Sequence, residues 1–564
     1  MKNNFFLIKS YKKVKIKKKK LIFFDEYLFN LYDKKKLRSN KFYFNNNLKK
    51  IENFYLNYDH LIKKKITTYR NQLSIQFNLI HRTDNNQEYW GILIDTFLYN
   101  LVSEIYRNFF FLKNIKKKYK NILNLNFQHN NLILDTQDFV EYIHNDPQSH
   151  EYIKGTTAEQ LGINTSYGKK RYKIYVSKKK NYKDFNIKFI LIKLVILFYL
   201  FVRRPFLITD PVLKIKDMII IFIKSFGKII FLKSSYIFYN NHINIKKNNL
   251  SRKFLKVKER DLIDRIFNIL APELVPISFV EKYNFFKKQS NYLSNFINGL
   301  GTFHQLYADD TFKIFAAEVK KTKKKLISFN HGGGMGGIKL RNFYDYLDKK
   351  YANKVVKYNS AFISLPNLLV KNNIPQKQKD ILLYPTQFMY QTNYRFFSRE
   401  FHPHLNSYFK FYDSLENSKK KLIKYKSMVY PHSNADKNIW SKKLKKNQIL
   451  KSENLNSIYK AKIIVINDIS TPLYEFVMLS IPFIIICKID YKIFNSSFQK
   501  EISNLEKLGL YYFDPAVAAK FINENYDQIY KWWTLTINKK NYIDFKKNLI
   551  EEGFPKNLSY NFFK

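Results

Sequence analysis

His331 sits in the run Phe329-Asn330-His331-Gly332-Gly333-Gly334-Met335-Gly336-Gly337. A neutral imidazole titrates near working pH and can take a proton from a hydroxyl group. Five of the chain's 14 glycines fall within the six residues 332–337, so the loop bares backbone N–H groups that could cradle an anion. The run Leu326 to Phe329 predicts a short buried strand before the loop, and Asn342 to Lys350 predicts a helix after it. A strand, a glycine-rich turn and a helix in that order are where α/β proteins present backbone donors to a ligand.

Three known chemistries use such a loop, and each requires a companion elsewhere. Gly332-x-Gly334-x-x-Gly337 fits the dinucleotide fingerprint, but the next strand, Lys354 to Lys357, ends without the acidic residue that holds a ribose. A strand ending in His-Gly-Gly-Gly also forms the oxyanion hole of lipases, which need a Gly-x-Ser-x-Gly elbow, and the chain has no such pentapeptide. A P-loop needs Gly-Lys-Ser/Thr where this chain has Gly336-Gly337-Ile338-Lys339. Two readings stay open: a loop cradling a phosphate or sugar with His331 beside it as base, or a tight turn with a buried, satisfied histidine.

The elements that must position this loop lie in a chain of 564 residues, long enough for two or three domains with large cores. Its 99 Lys+Arg against 45 Asp+Glu give a formal charge of +54. That charge fits a polyanionic partner, nucleic acid or anionic lipid. It also fits an AT-rich coding composition, since Lys, Asn, Ile, Phe and Tyr are inflated together. No nucleic-acid-binding signature accompanies it. Cys487 is the single cysteine, which excludes an internal disulfide and fits a reducing cytoplasm. The apolar run Leu21 to Phe24 is too short for a signal peptide. Phe189 to Val202 falls short of the roughly 20 apolar residues of a spanning helix, and reads as a buried helix or else one lying on a membrane surface.

Residues 1–65 are Lys- and Asn-rich and read as a basic, partly helical extension able to lie on anionic lipid. Helical spacing runs from Asn71 to Phe111 as two helices joined at His81 to Asn86, followed by a polar loop from Lys116 to Asn131. Helices are predicted at Thr136 to His144, Thr157 to Leu161 and Asp261 to Leu270, with strands at Ile219 to Ile223 and Ile229 to Leu232. In the second half, the predicted strands are Ile381 to Tyr384, Met428 to Tyr430, Ile463 to Ile466 and Phe483 to Ile486. They alternate with helices at Ser407 to Tyr425, Leu444 to Tyr459 and Pro472 to Leu479. Such alternation predicts an α/β fold of two doubly wound units, with a domain of residues 66–370 and another of 371–564.

The motifs, taken in order, are Leu79-Ile80-His81 with Tyr89-Trp90, the His331 loop, and Asn467-Asp468-Ile469-Ser470-Thr471-Pro472-Leu473-Tyr474-Glu475 with Ile481-Pro482. Leu508-Gly509-Leu510-Tyr511, Asp514-Pro515, Ala518-Ala519 and Trp532-Trp533 close the series. Together they resemble a family of bacterial transferases of surface-carbohydrate biosynthesis marked by a His-Gly-Gly-Gly-Tyr-Gly loop, similar to the glycerophosphotransferases of wall teichoic acid. The chain departs from that pattern at Met335, where the family has Tyr, and at Met428 or Val429, where an Arg is expected.

The resemblance implies a GT-B-like arrangement, two Rossmann-like domains facing a cleft, with a basic N-terminal extension. It implies His331 as general base, and a donor site of Gly332, Gly333, Gly334, Gly336, His432, Ser470, Thr471 and Glu475. Thr471 suits a helix N-cap and Pro472 the first turn, which leaves N–H groups for phosphate; Glu475 would accept from ribose hydroxyls or merely complement the helix dipole. His81 and Trp90 become acceptor-side candidates, with core packing as the alternative. No Asp-x-Asp pair occurs, so no metal or other cofactor is expected. The implied partners are a nucleotide-activated sugar, a glycan or lipid-linked glycan acceptor and an anionic membrane surface, without nucleic acid. The implied location is the cytoplasm, peripheral on the inner face of the membrane. A nucleic-acid-binding protein and a catalytically inactive scaffold of the glycan pathway are the rival readings.

Overall fold

A computed structural model describes residues 5–8, 20–23, 42–44, 48–118, 122–126, 132–145, 147–167, 187–211, 215–234, 247–303, 305–329, 343–356, 378–385, 401–426, 440–450, 461–467, 469, 471–487 and 496–549. Every strand pairing among them is parallel, in three sheets. A parallel neighbour needs a crossover, so the helices must lie between successive strands along the chain.

The first sheet has the order β3-β2-β1-β4-β5, from Phe5–Ile8 (β1), Lys20–Phe23 (β2), Phe42–Phe44 (β3), Ile122–Asn126 (β4) and Asn164–Tyr167 (β5). Residues 1–65 therefore contribute three strands and the start of a helix rather than a bare extension. Their short apolar runs, Phe-Phe-Leu-Ile, Leu-Ile-Phe and Phe-Tyr-Phe, are each one strand long, and the pairing of β1 with β4 that joins them to the sheet is far in sequence. The stretch Lys116 to Asn131, expected as a loop, holds the end of a helix and β4.

Between these strands run two long helices, Leu48–His81 (α1) and Gln87–Lys118 (α2). From Tyr89 to Asn108 every residue of α2 is buried, as befits a helix packed on all sides. Around it stand α1, Thr136–Asn145 (α3), Pro147–Gln160 (α4), Leu262–Leu274 and Asp310–Lys321.

The second sheet has the order β10-β9-β8-β6-β7, from Phe206–Thr209 (β6), Ile229–Leu232 (β7), Gly299–Thr302 (β8), Lys325–Phe329 (β9) and Lys354–Val356 (β10). Its helices are Ile187–Arg203 (α5), Ile215–Lys224 (α6), Leu262–Leu274 (α7), Tyr283–Ser294 (α8), Asp310–Lys321 (α9) and Phe343–Tyr351 (α10). The run Ile219 to Ile223, expected as a strand, lies inside α6. Helix α5 is not a buried helix: Leu194, Val195, Phe198, Phe201 and Val202 are exposed. Asp261 caps α7 through a capping box with Asp264, and Pro272 is carried inside its last turn instead of ending it.

The third sheet has the order β13-β12-β11-β14-β15-β16, from Asp380–Tyr384 (β11), Ile423–Lys426 (β12), Ile449–Leu450 (β13), Ala461–Ile466 (β14), Phe483–Ile486 (β15) and Tyr511–Tyr512 (β16). Phe401–Ser414 (α11), Thr471–Met478 (α12), Ser496–Lys507 (α13), Pro515–Asn525 (α14), Ile529–Ile537 (α15) and Lys540–Leu549 (α16) accompany it. The helix expected through Tyr425 stops at Ser414, because Ile423 to Lys426 is a strand with Ile423 and Tyr425 in the core. The helix expected from Leu444 is replaced at Ile449 by β13; the expected strand Met428 to Tyr430 lies outside the described residues. Among the described residues no helix is long and apolar enough to cross a membrane.

Candidate active site at two sheet edges

In an open parallel sheet, a ligand crevice opens at the carboxyl ends of the strands where the order reverses. In the third sheet the chain steps from β11 to β12 and β13 on one side, then returns to β14 and continues to β15 and β16 on the other. The crevice therefore falls between β11 and β14. Side chains alternate across a sheet, and Ile381, Leu383, Ile423 and Tyr425 share one buried face. Tyr384 and Lys426, the last residues of adjacent strands, consequently share the other face at the crevice.

There Lys426 Nζ donates to Tyr384 Oη at 2.8 Å and lies 4.1 Å from the centre of its ring. Burial pulls the Lys426 ammonium down to about 8, against the opposing charge of Glu475. Burial, then the Glu475 carboxylate, pushes the Tyr384 phenol well above its ordinary value. Glu475 itself is buried, on helix α12, and Phe476 beside it meets Tyr384 edge-on with ring centres 5.5 Å apart. A buried, low-dielectric cluster of one cation, one carboxylate and one phenol at strand ends has the groups to bind an anion and a hydroxyl-bearing group together.

Helix α12 begins at Thr471, one residue before the expected start at Pro472, so Thr471 is in its first turn and not its N-cap; following β14, the helix N-terminus lies at the same strand ends. Glu475 is brought to Lys426 and Tyr384, two residues the sequence reading missed. Lys426 directly follows the run Ser407 to Tyr425 that reads as a helix; its signal is the alternation of Ile423 and Tyr425 with Lys424 and Lys426, which fits a strand as well. His331, Gly332, Gly333, Gly334, Gly336, His432 and Ser470 lie outside the described residues.

The second sheet has its own reversal, between β6 and β8. At its carboxyl edge Gln305 Nε2 donates to the Thr209 carbonyl at 3.3 Å, and Thr302 and Gln305 side chains are hydrogen-bonded. Asp210 follows β6 with φ +43°, an uncommon conformation outside glycine, and its carboxylate accepts from the Ser234 N–H. Strand β9 ends at this edge two residues before His331, with Phe329 stacked on Phe303 at 4.9 Å. The next described element is tied down as well. Helix α10 returns Lys350 and Tyr351 to the fully buried Asp95, with Lys350 Nζ at 2.8 Å and Tyr351 Oη also donating; Arg70 Nη1 donates to the same carboxylate at 2.9 Å. Gly91 on α2 is required here, because a Cβ at that position would collide with the Tyr351 hydroxyl.

Asp309 lies at the start of α9, where its side chain accepts from the Phe312 N–H at 3.0 Å. Desolvation, reinforced by the carboxylates of Asp210, Asp310 and Asp135, raises it to about 6. An acid raised in the folded state binds more protons folded than unfolded between its ordinary value and about 6, so stability falls as pH rises across that window. Asp309→Asn keeps the cap and removes the half-buried charge. The variant is expected to be more stable at pH 7 by up to about 3 kcal/mol, with a flatter profile between pH 4 and 6 in denaturant melts. An unchanged profile would show that Asp309 ionises freely in the folded protein. Among the described residues no group of three His, Cys, Asp or Glu could hold a metal ion.

The structure sets the acceptor-side candidates inside the core. Trp90 is fully buried, its indole N–H donates to Asn78 Oδ1 at 2.8 Å, and it stacks on Phe77 with centres 4.8 Å apart. His81 is buried beside Tyr283, and its Nε2–H donates to the Phe279 carbonyl at 2.8 Å. Burial holds His81 down at about 4, a neutral imidazole at working pH.

Comparison with curated proteins finds no match. Among solved structures, MurG from Acinetobacter baumannii aligns at 8% identity with a TM-score of 0.28, over 47% of this chain and 73% of that one. A profile of LIC12162 family transferases matches residues 5–551, nearly the whole length of the protein. The chain belongs to the LIC12162 transferase family.

Proposed function

We propose that this transferase moves a sugar, or a phosphate-linked polyol, from a nucleotide-activated donor to a surface glycan or its lipid-linked precursor in the cytoplasm. The observation that carries the reading is the Lys426–Tyr384–Glu475 cluster at the reversal of the third sheet, beside the start of α12. In this reading residues 371–564 hold the donor in a GT-B-like arrangement: the α12 N-terminus and Lys426 take the phosphates, and Glu475 takes the ribose hydroxyls. His432 and Ser470 belong to the same site. Residues 66–370 hold the acceptor, whose hydroxyl gives its proton to His331, two residues after β9. The acceptor oxygen then forms its bond to the donor's electrophilic carbon or phosphorus as the bond to the nucleotide phosphate breaks. Negative charge growing on that phosphate is met by Lys426, the helix dipole and the N–H groups of Gly332, Gly333, Gly334 and Gly336, without a metal ion.

A thermal-shift screen against CMP-, UDP-, GDP- and CDP-linked donors tests the assignment. A donor at 100 times its dissociation constant should stabilise the protein by about 2.7 kcal/mol. No shift with any of the four would refute a nucleotide donor.

A further inference from the structure

The run Phe189 to Val202 is unexplained by transfer chemistry, and in the fold only one side of it serves the core, through Leu200, Ile196 and Tyr199. Val195, Phe198 and Val202 form an exposed stripe on α5, with Phe198 71% exposed. Across from them, α6 exposes Ile215, Ile219, Phe222 and Ile223 at helical spacing. Between the two helices lies a groove of about 400 Å³ walled by Val195, Tyr199, Ile215, Ile219 and Phe222 and floored by β7. Phe226, in the turn after α6, is 84% exposed and held at φ +51°. A bulky side chain in that conformation is costly, and here it projects an aromatic ring outward. The turn is tied to α5 by the Tyr199 hydroxyl, which donates to the Gly227 carbonyl at 2.6 Å. Apolar patches of this extent on a soluble face mark an interaction surface.

Its charge decides the partner. Arg203, Arg204, Lys216, Lys224 and Lys228 are exposed around the apolar face. A second copy seated on the same face would bring these cations against their equivalents, in a protein of formal charge +54. An anionic lipid surface satisfies both features at once, because it accepts apolar side chains between its headgroups and attracts the surrounding cations. Helix α5, at 17 residues with Arg203 in its last turn, is too short to span and suited to lie in the interface. We infer that α5, α6 and the Phe226 turn form a monotopic docking face for an anionic bilayer. This places the membrane contact on the second sheet's helices and not on residues 1–65, and it holds whichever nucleotide the donor site takes.

Flotation of the full-length protein with vesicles of phosphatidylcholine alone, or mixed with phosphatidylglycerol, tests the inference. The wild type should float with the anionic vesicles only. Phe198→Ser/Ile219→Ser/Ile223→Ser should reduce that partition by roughly tenfold or more, since each side chain is exposed in the free protein and buried in lipid. Arg203→Glu/Lys224→Glu should reduce it at least about fivefold for each cation removed. Both variants should keep the wild-type melting temperature and its shift with nucleotide, which separates failure of the docking face from failure of the donor site. Flotation equal to wild type in both variants, or no flotation of the wild type, would overturn the inference. So would a concentration-dependent dimer abolished by the triple variant, which would assign the face to a second copy.

Discussion

Replacing His331 with alanine is expected to slow transfer by about 10²- to 10⁴-fold, the usual loss when a general base is removed. The melting temperature should hardly move, because the described elements on either side of the residue are fixed independently of it. One is β9, paired with β8 and β10, and the other is α10, anchored on Asp95. Initial rates with the donor identified by thermal shift, together with a melt of the variant, check both halves of the statement. An unfolded variant would make His331 a buried structural histidine, and an undiminished rate would remove it from the chemistry.

The second large effect is on stability. Asp95 is fully buried and accepts from Arg70, Lys350 and Tyr351, joining α1, α2 and α10. Asp95→Ala would strand the Arg70 guanidinium in the interior, and removing one partner of a buried pair costs about 3–5 kcal/mol. Because α10 is the first described element after the glycine run, the variant should lose transfer along with stability, whereas His331→Ala loses transfer alone. Urea midpoints of the two variants distinguish them. A midpoint for Asp95→Ala within about 1 kcal/mol of wild type would show that water replaces the carboxylate.

Much of this arrangement was legible in the sequence. β9, β11 and β14 are each announced by a short apolar run followed by Asn or Pro, α12 by its Thr-Pro start and β15 by an unbroken Phe-Ile-Ile-Ile, and these are the elements that flank the proposed site. What was not legible has physical causes. Asp-Met-Ile-Ile-Ile-Phe-Ile reads as a buried strand only if the β-branched run faces a core; on α6 the same residues are partly exposed, a state that periodicity cannot announce. The strands at Phe5, Lys20 and Phe42 are separated by lysine-rich stretches, and their sheet is joined to β4 through β1 across more than a hundred residues, so local pattern carries no trace of it. Lys426 was hidden because a polar residue at a strand end resembles one on a helix surface. Its buried contact with Tyr384 exists only once β11 and β12 are in register. His81 and Trp90 carried a motif-like spacing whose cause is an aromatic core shared with Phe77 and Tyr283.

The central claim is that a nucleotide lies at the carboxyl edge of the third sheet, and calorimetric titration of nucleotide and of free pyrophosphate tests it most directly. Lys426→Met should weaken both ligands, and wild-type affinity for both should fall as pH rises through about 8, where the Lys426 ammonium loses its charge. Glu475→Gln should weaken the nucleotide by about 1.5–3 kcal/mol, the range for a hydrogen bond to a charged group, while leaving pyrophosphate unchanged. If the nucleotide binds both variants as it binds the wild type, its site lies elsewhere and the account is contradicted.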